Sequence, residues 1–230
     1  MNESIIQSDQ CSQYISSSSE MMKRSFLSKA YIVFWIQIIF YSTYIFIVSV
    51  TESLFNILES YWALSISVIV GMVLFIMSVF LICSPEIFHQ SKCEYIMVPL
   101  QTLLVMYMVG IIGVYNNIHL IMIIFGIILV NVFIYIVYLV QTCIPYRHTF
   151  CYSITSIVNI LTASILYYSH IQWNEFIIIL TISTIYLFYI LYESSVVLSD
   201  SKYHIVFTKD NWYMATLHFH FDIFYILCFY

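Results

Sequence analysis

The chain has very little charge. Its 230 residues include seven Lys or Arg and twelve Asp or Glu, which together make 8%, whereas a soluble domain carries roughly 25%. Hydrophobic residues reach 62% of the chain. These proportions exclude an ordinary soluble domain and indicate an integral membrane protein. The net charge of −5 also disfavours nucleic acid as a partner, because nucleic acids bind basic surfaces.

Motifs of enzymes and nucleotide-binding proteins are absent too. The sequence contains no GxSxG, no HExxH and no GxxxxGK[ST] motif, each of which carries a known catalytic or phosphate-binding arrangement. We therefore expect neither enzymatic activity nor a bound cofactor.

Glycine is scarce as well, with four residues, so close helix packing must rely on other small residues. In the fifth apolar segment these recur near helical spacing and predict an inward face made of Ser153, Ser156, Asn159, Ala163 and Ser164.

Long apolar segments dominate what is present. A membrane-spanning helix needs about 20 apolar residues, and lipid-exposed backbone must satisfy its own hydrogen bonds, which favours helices. We expect an all-α polytopic membrane protein with seven transmembrane helices. Residues 1–22 are predicted to be a disordered polar cytoplasmic tail, and 23–230 one membrane domain. Six segments carry no charge, at about 30–50, 61–83, 95–115, 118–140, 149–169 and 176–192, and the seventh is 211–230.

The basic residues predict the orientation. Three precede the first apolar segment, and the other four lie between segments 2 and 3, 4 and 5, and 6 and 7. The remaining loops contain none, so a cytoplasmic N-terminus places every basic residue on the cytoplasmic side. Glu52, Glu59 and Glu175 fall on the opposite side. The C-terminus is outside if the seventh segment crosses the membrane, and cytoplasmic if it is re-entrant.

Asp222 stands in the seventh segment, about a dozen residues from its start, or roughly 18 Å along a helix. An acid at such depth is a functional-site hypothesis by default. The alternative is an amphipathic helix on the membrane surface. His218 lies four residues earlier on the same helical face and is expected to hydrogen-bond Asp222. Zinc would need two further ligands.

Glu193 directly follows the sixth apolar segment. Taken alone, it is equally well explained as an interfacial acid in water at the start of a cytoplasmic loop. The other polar residues of the spans are expected to form hydrogen bonds between helices, and these are Gln37, Gln101, Asn131 and Asn159.

The C-terminal part carries a family resemblance. Tyr192-Glu193 is followed by a short loop with Lys209-Asp210 and then by Phe219-His220-Phe221-Asp222. This arrangement resembles the transmembrane BAX inhibitor motif family, which includes the Lifeguard and Golgi anti-apoptotic proteins. That family has Tyr-Asp at the end of its sixth helix and a Leu-Tyr-Leu-Asp core in its seventh. The resemblance is specific here and looser over the rest of 23–230, so the chain looks like a divergent member.

The resemblance implies a fold and a function. Six helices would surround a central C-terminal helix, in the endoplasmic reticulum or Golgi membrane, with the plasma membrane as an alternative. The implied activity is a pH-sensitive calcium leak that suppresses apoptosis, with calcium as the transported ion. Glu193 and Asp222 would form the pH sensor and gate and a transient calcium site. Tyr192, His218 and Asp210 would modulate it. The expected partners are the bilayer, calcium and apoptosis-regulating membrane proteins.

The chain departs from the family pattern at several positions. Glu193 replaces an Asp, His220 replaces the core Tyr, and His218 stands where an Asn is usual. Leu104 lies near the place of an acid that many relatives carry in the third helix. The acid pair is retained, and with a histidine one turn from Asp222 we predict a pH response between roughly 6 and 7.5.

Three other functions compete with the calcium leak. A divergent member could have lost transport and act through protein partners in cell-death or immune signalling. An intramembrane aspartyl protease also uses two acids, but this chain lacks the GxGD motif. A seven-span receptor would have its N-terminus outside, against the distribution of basic residues.

Overall fold

The structure, a computed structural model, describes residues 19–83, 94–141, 147–168, 171–199, 212–213 and 215–219. These residues are almost entirely helical and contain no strand. Residues 212–213 and 215–219 are helical as well, and we call them the C-terminal piece. The other helices are α1 (Glu20–Val50), α2 (Glu52–Glu59), α3 (Tyr61–Cys83), α4 (Glu94–Tyr115), α5 (Ile118–Val140), α6 (His148–Tyr168) and α7 (Trp173–Ser199).

The prediction of an all-α polytopic membrane protein is confirmed. All the helices except the short α2 are long and apolar enough to cross a membrane, and each of these six overlaps one predicted segment. Their outer faces expose large apolar side chains such as Phe46, Ile69 and Leu161, which suits contact with lipid. Of the predicted seventh span at 211–230, only the C-terminal piece lies within the described residues.

Two predicted boundaries need correction. Helix α1 begins at Glu20, ten residues before the predicted apolar segment and just inside the tail predicted for 1–22. Helix α7 runs to Ser199, seven residues past the predicted end at 192. Hydropathy underestimated both helices, because polar residues near their ends, such as Arg24 and Ser194, lower the hydropathy without ending the helix.

Helix α1 organises the bundle. Its buried residues recur every three or four positions, as one face of a helix does. This stripe extends over about seven turns, from the second turn of the helix to the last. It consists of Arg24, Leu27, Tyr31, Phe34, Ile38, Tyr41, Ile45 and Val48.

Contacts between paired helices give their relative directions. Helices α1 and α5 are antiparallel, since Tyr31 contacts Tyr135 while Tyr41, further along α1, contacts Phe125, which precedes Tyr135 on α5. Helices α6 and α7 form an antiparallel hairpin. Helices α1 and α4 are parallel, as the first and third spans of an alternating topology must be.

The two ends of the bundle differ in charge. At one end, which we call the basic end, Arg24 lies against the last turn of α5, and the backbone N–H of Arg147 donates to the hydroxyl of Tyr138. At the other, the acidic end, Asn117 donates to the Glu175 carboxylate at 2.9 Å. The fold therefore separates these basic and acidic residues as the sequence predicted. Which end faces the cytoplasm stays a prediction.

The predicted inward face of α6 is largely wrong. Ser153, Ser156 and Ser164 are exposed, and each hydroxyl donates to the carbonyl four residues earlier at 3.0 Å. A serine that satisfies itself in this way can face lipid at little cost. The inward face is formed by Cys151, Thr155, Asn159 and Leu166.

Candidate functional site

Glu193 lies inside helix α7, six residues before its end. Its exposed fraction is 0%, so the interpretation of Glu193 as an interfacial acid in water is wrong. The helix continues because Val196, Val197 and Leu198 are buried as well and hold the last turns against the bundle. A polar triplet, Glu193-Ser194-Ser195, is thus enclosed between two apolar stretches of one helix.

Tyr31 of α1 reaches the residue next to Glu193. Its hydroxyl lies 2.7 Å from Oγ of Ser194, and both side chains are buried. Oγ of Ser194 also donates to the carbonyl of Ile190 at 2.8 Å. A serine hydroxyl has a single proton to donate, so Tyr31 is the donor and Ser194 the acceptor in the bond between them.

The C-terminal piece packs against the same part of α1. The ring of Phe219 lies 5.2 Å from that of Tyr31 and 5.8 Å from that of Phe34. Oγ1 of Thr216 lies 3.3 Å from the carbonyl oxygen of Ala30. The piece therefore runs alongside the third and fourth turns of α1, in the basic half of the bundle.

His218 belongs to this piece and has an exposed fraction of 0%. Its neighbour Phe219 contacts Tyr31, and Tyr31 in turn binds Ser194, the neighbour of Glu193. The structure thus brings two of the predicted site residues, Glu193 and His218, to one level of the bundle around a single tyrosine.

The remaining predicted site residues are not part of this cluster in the described structure. Tyr192 is 42% exposed and lies on a different face of α7 from Glu193, because adjacent residues on a helix face different directions. Asp222 and Asp210 lie outside the described residues. Within the described residues, no three His, Cys, Asp or Glu side chains come together as a metal site.

A second pair of hydroxyls extends the cluster toward α5 and α6. The Tyr135 hydroxyl hydrogen-bonds that of Thr155, and the Tyr135 ring meets the Tyr31 ring edge-on at 5.9 Å. Tyr31 and Tyr135 therefore link α1, α5, α6, α7 and the C-terminal piece. Sequence reasoning missed both tyrosines; the only signal was the place of Tyr31 in the apolar stripe of α1.

Arg24 is the second feature that the sequence did not reveal. It is buried and donates to the carbonyls of Tyr138, Leu139 and Gln141, while its guanidinium lies 5.9 Å from the Tyr138 ring centroid. The last four carbonyls of a helix have no partner within the helix, and a cation there also offsets the helix dipole. Arg24 thus caps α5 from a neighbouring helix.

The four amides of the spans are all buried. The prediction of hydrogen bonds between helices is confirmed for Gln37, which donates to Thr102 at 2.8 Å, and for Asn159, which donates to Thr184 at 2.8 Å. It is wrong for the amide N–H of Asn131, which donates within its own helix, to Ile127. The side-chain amide of Gln101 makes no hydrogen bond with a described residue.

Comparisons with known proteins identify no relative of this chain. No family model, no curated protein and no solved structure matches the chain.

Proposed function

We propose that the protein is a pH-sensitive calcium leak channel of an intracellular membrane, gated by Glu193 together with Asp222, and that it suppresses apoptosis. The observation that carries the proposal is the complete burial of Glu193 inside a spanning helix, at the level where the C-terminal piece docks. A buried ionisable group at membrane depth is expensive to keep and usually functional. The resemblance of 187–227 to the BAX inhibitor motif family supplies the kind of activity.

The mechanism rests on one shared proton. Two carboxyl groups close together in a low-dielectric interior cannot both ionise cheaply, so they titrate as a coupled pair. While the proton is shared, it holds α7 and the last helix together. Loss of this proton leaves two negative carboxylates that repel each other. It also makes their oxygens, which are ligands of the kind that calcium prefers, available for binding. Either effect biases the equilibrium between two helix arrangements.

Tyr31 is the positioning residue in this mechanism. It holds α7 through the hydrogen bond to Ser194 and the C-terminal piece through the ring contact with Phe219. A shift of the last helix against α7 must loosen one of these contacts. The hydrogen bond and the ring contact of Tyr31 therefore both resist the separation of α7 and the last helix when the proton leaves.

His218 gives the expected working range. It is buried beside this junction and precedes Asp222 by four residues in the sequence. Histidine is the side chain whose ordinary titration lies closest to neutral pH. We therefore expect the calcium flux to change between pH of roughly 6 and 7.5.

The test is calcium flux into liposomes that contain the purified full chain, measured with an enclosed calcium dye over a series of pH values. Glu193→Gln keeps the size of the side chain but removes its charge, and Asp222→Asn does the same at the partner. Both variants should flatten the pH response. Glu52→Gln is the matched control, because Glu52 is exposed near the acidic end, and it should behave as the wild type.

The possible outcomes separate the proposal from its alternative. A pH response that survives in both Glu193→Gln and Asp222→Asn sinks the gating mechanism. No calcium flux from well-folded wild-type protein favours the second function, a non-transporting protein that acts in cell-death or immune signalling through protein partners.

A further inference from the structure

A cavity of about 500 Å³ lies between α1, α3, α4, α5 and α7. This volume falls within the range of about 300–1,000 Å³ that is typical of ligand sites. Its walls are apolar side chains apart from two tyrosines, Tyr41 and Tyr186. The Tyr41 hydroxyl is engaged with Thr102, which leaves the Tyr186 hydroxyl as the other polar side-chain group of the wall.

The most exposed part of the cavity wall marks its mouth. Its wall residues Ile112 of α4 and Ile182 of α7 are 45% and 47% exposed. Ile182 lies nine residues into α7, or roughly 14 Å along its axis, which is within the hydrocarbon layer. The opening is therefore surrounded by acyl chains rather than by water.

Water is a poor occupant for this space. An apolar cavity stays dry, because a buried water needs two to four polar partners. An empty cavity loses the dispersion contacts that its wall atoms would otherwise make. An acyl chain from the surrounding bilayer restores those contacts without bringing a polar group into the apolar space.

We propose that this cavity is a lipid site, which takes one acyl chain of a bilayer phospholipid through the mouth at Ile112 and Ile182. The lipid headgroup stays at the membrane surface on the acidic side of the bundle, and the chain lies against α4, α5 and α7. This proposal is independent of the calcium leak.

The occupied cavity would also border the candidate site. The ring of Tyr186, which forms part of the cavity wall, lies 6.5 Å from that of Phe34. Phe34 in turn contacts Phe219 of the C-terminal piece at 5.8 Å. An acyl chain packed on Tyr186 therefore supports, through Phe34, the surface on which the C-terminal piece docks.

Two glycines provide a matched pair of variants. Gly71 belongs to the cavity wall, and a Cβ at this position meets nothing closer than Met108 Cε at 3.9 Å, so Gly71→Leu can extend into the cavity. Gly126 of α5 lies outside the wall, and a Cβ there meets nothing within 4 Å. Gly126→Leu therefore makes the same chemical change without filling the cavity.

The experiment uses the full chain in lipid nanodiscs that contain phosphatidylcholine with a photoreactive diazirine in one acyl chain. After illumination, labelled residues are mapped by mass spectrometry of peptides. Ile124 and Ile128 report on the interior, because both are buried and line the cavity. Phe75 and Ile76 report on ordinary lipid contact, because both face outward.

We expect the wild type and Gly126→Leu to be labelled at all four positions. Gly71→Leu should lose the label at Ile124 and Ile128 and keep it at Phe75 and Ile76. Retained labelling at the outer positions shows that the variant is still embedded in the bilayer. Val109→Trp changes another part of the cavity wall and repeats the test. Interior labelling that is equal in all variants, or absent from the wild type, overturns the proposal. Labelling by a free diazirine fatty acid but not by the phospholipid also overturns it.

Discussion

The basic end of the bundle and the region around the cavity are held together by different interactions. At the basic end, Arg24 binds three carbonyls of α5 and Tyr31 binds Ser194. Around the cavity, α3, α4, α5 and α7 meet through apolar side chains and leave about 500 Å³ between them. Buried hydrogen bonds have narrow geometric requirements, whereas apolar contacts tolerate sliding. The first region therefore fixes positions, and the second has room for movement.

Removal of the Arg24 cap should have the largest effect on stability. Arg24→Met keeps most of the length of the side chain but leaves the last carbonyls of α5 without these donors. We expect a loss of about 2–4 kcal/mol in the free energy of unfolding, since each unsatisfied buried group costs about 1–3 kcal/mol. Equilibrium unfolding in mixed micelles measures it.

The control for this variant is Lys29→Met, which removes a basic residue from an exposed position of the same helix. It should change the stability by less than about 0.5 kcal/mol, as surface substitutions usually do. Equal losses in the two variants would mean that charge, rather than the cap, stabilises the basic end.

A methyl group at a close contact between α1 and α4 should have an intermediate effect. A Cβ on Gly110 would lie 2.6 Å from Cε1 of Tyr44, so the ring must move. Because overpacking costs about 1–3 kcal/mol, we expect Gly110→Ala to lower the stability by that amount in the same unfolding assay. A smaller loss of stability would show that the Tyr44 ring moves aside and that the packing near the cavity is adaptable.

Gly126→Ala is the comparison, because open space surrounds that position. Alanine is a better helix former than glycine by about 1 kcal/mol. The variant should therefore be neutral or slightly more stable than the wild type. A loss as large as that of Gly110→Ala would contradict the contact at Tyr44.

Loss of the Tyr31 hydroxyl should have the smallest effect on stability. Tyr31→Phe keeps the ring contacts with Tyr135 and Phe219 but removes the hydrogen bond to Ser194, which is worth about 0.5–1.5 kcal/mol. The control is Tyr115→Phe, which removes a hydroxyl that donates to the Glu59 carbonyl near the acidic end. This control should leave the pH response of calcium flux unchanged. A Tyr31→Phe variant with an unaltered pH response would remove Tyr31 from the proposed mechanism.

The sequence predicted the spans well because their signal is local. Each span that lies within the described residues is a long apolar segment, and hydropathy reports that directly. The ends were less predictable at Glu20 and Ser199. There the helix continues through polar residues, some of which are buried against other helices, and no single segment contains that information.

The candidate site was only partly predictable for the same reason. Glu193 and His218 stood out as polar residues in apolar surroundings, and the structure brings them to one level of the bundle. Tyr31 did not stand out, because the chain contains 21 tyrosines and its role depends on Ser194, 163 residues away. The prediction that the serines of α6 face inward was wrong, because a small polar residue can face lipid when its hydroxyl binds its own helix.

The central claim is that Glu193 shares a proton with Asp222 and loses it over the pH range in which the calcium flux changes. Infrared difference spectroscopy of the full chain in liposomes detects the loss of protonated carboxyl groups over this range. We predict a carboxyl signal that disappears in Glu193→Gln, changes in Asp222→Asn and persists in Glu52→Gln. A Glu193→Gln spectrum identical to that of the wild type would contradict the account.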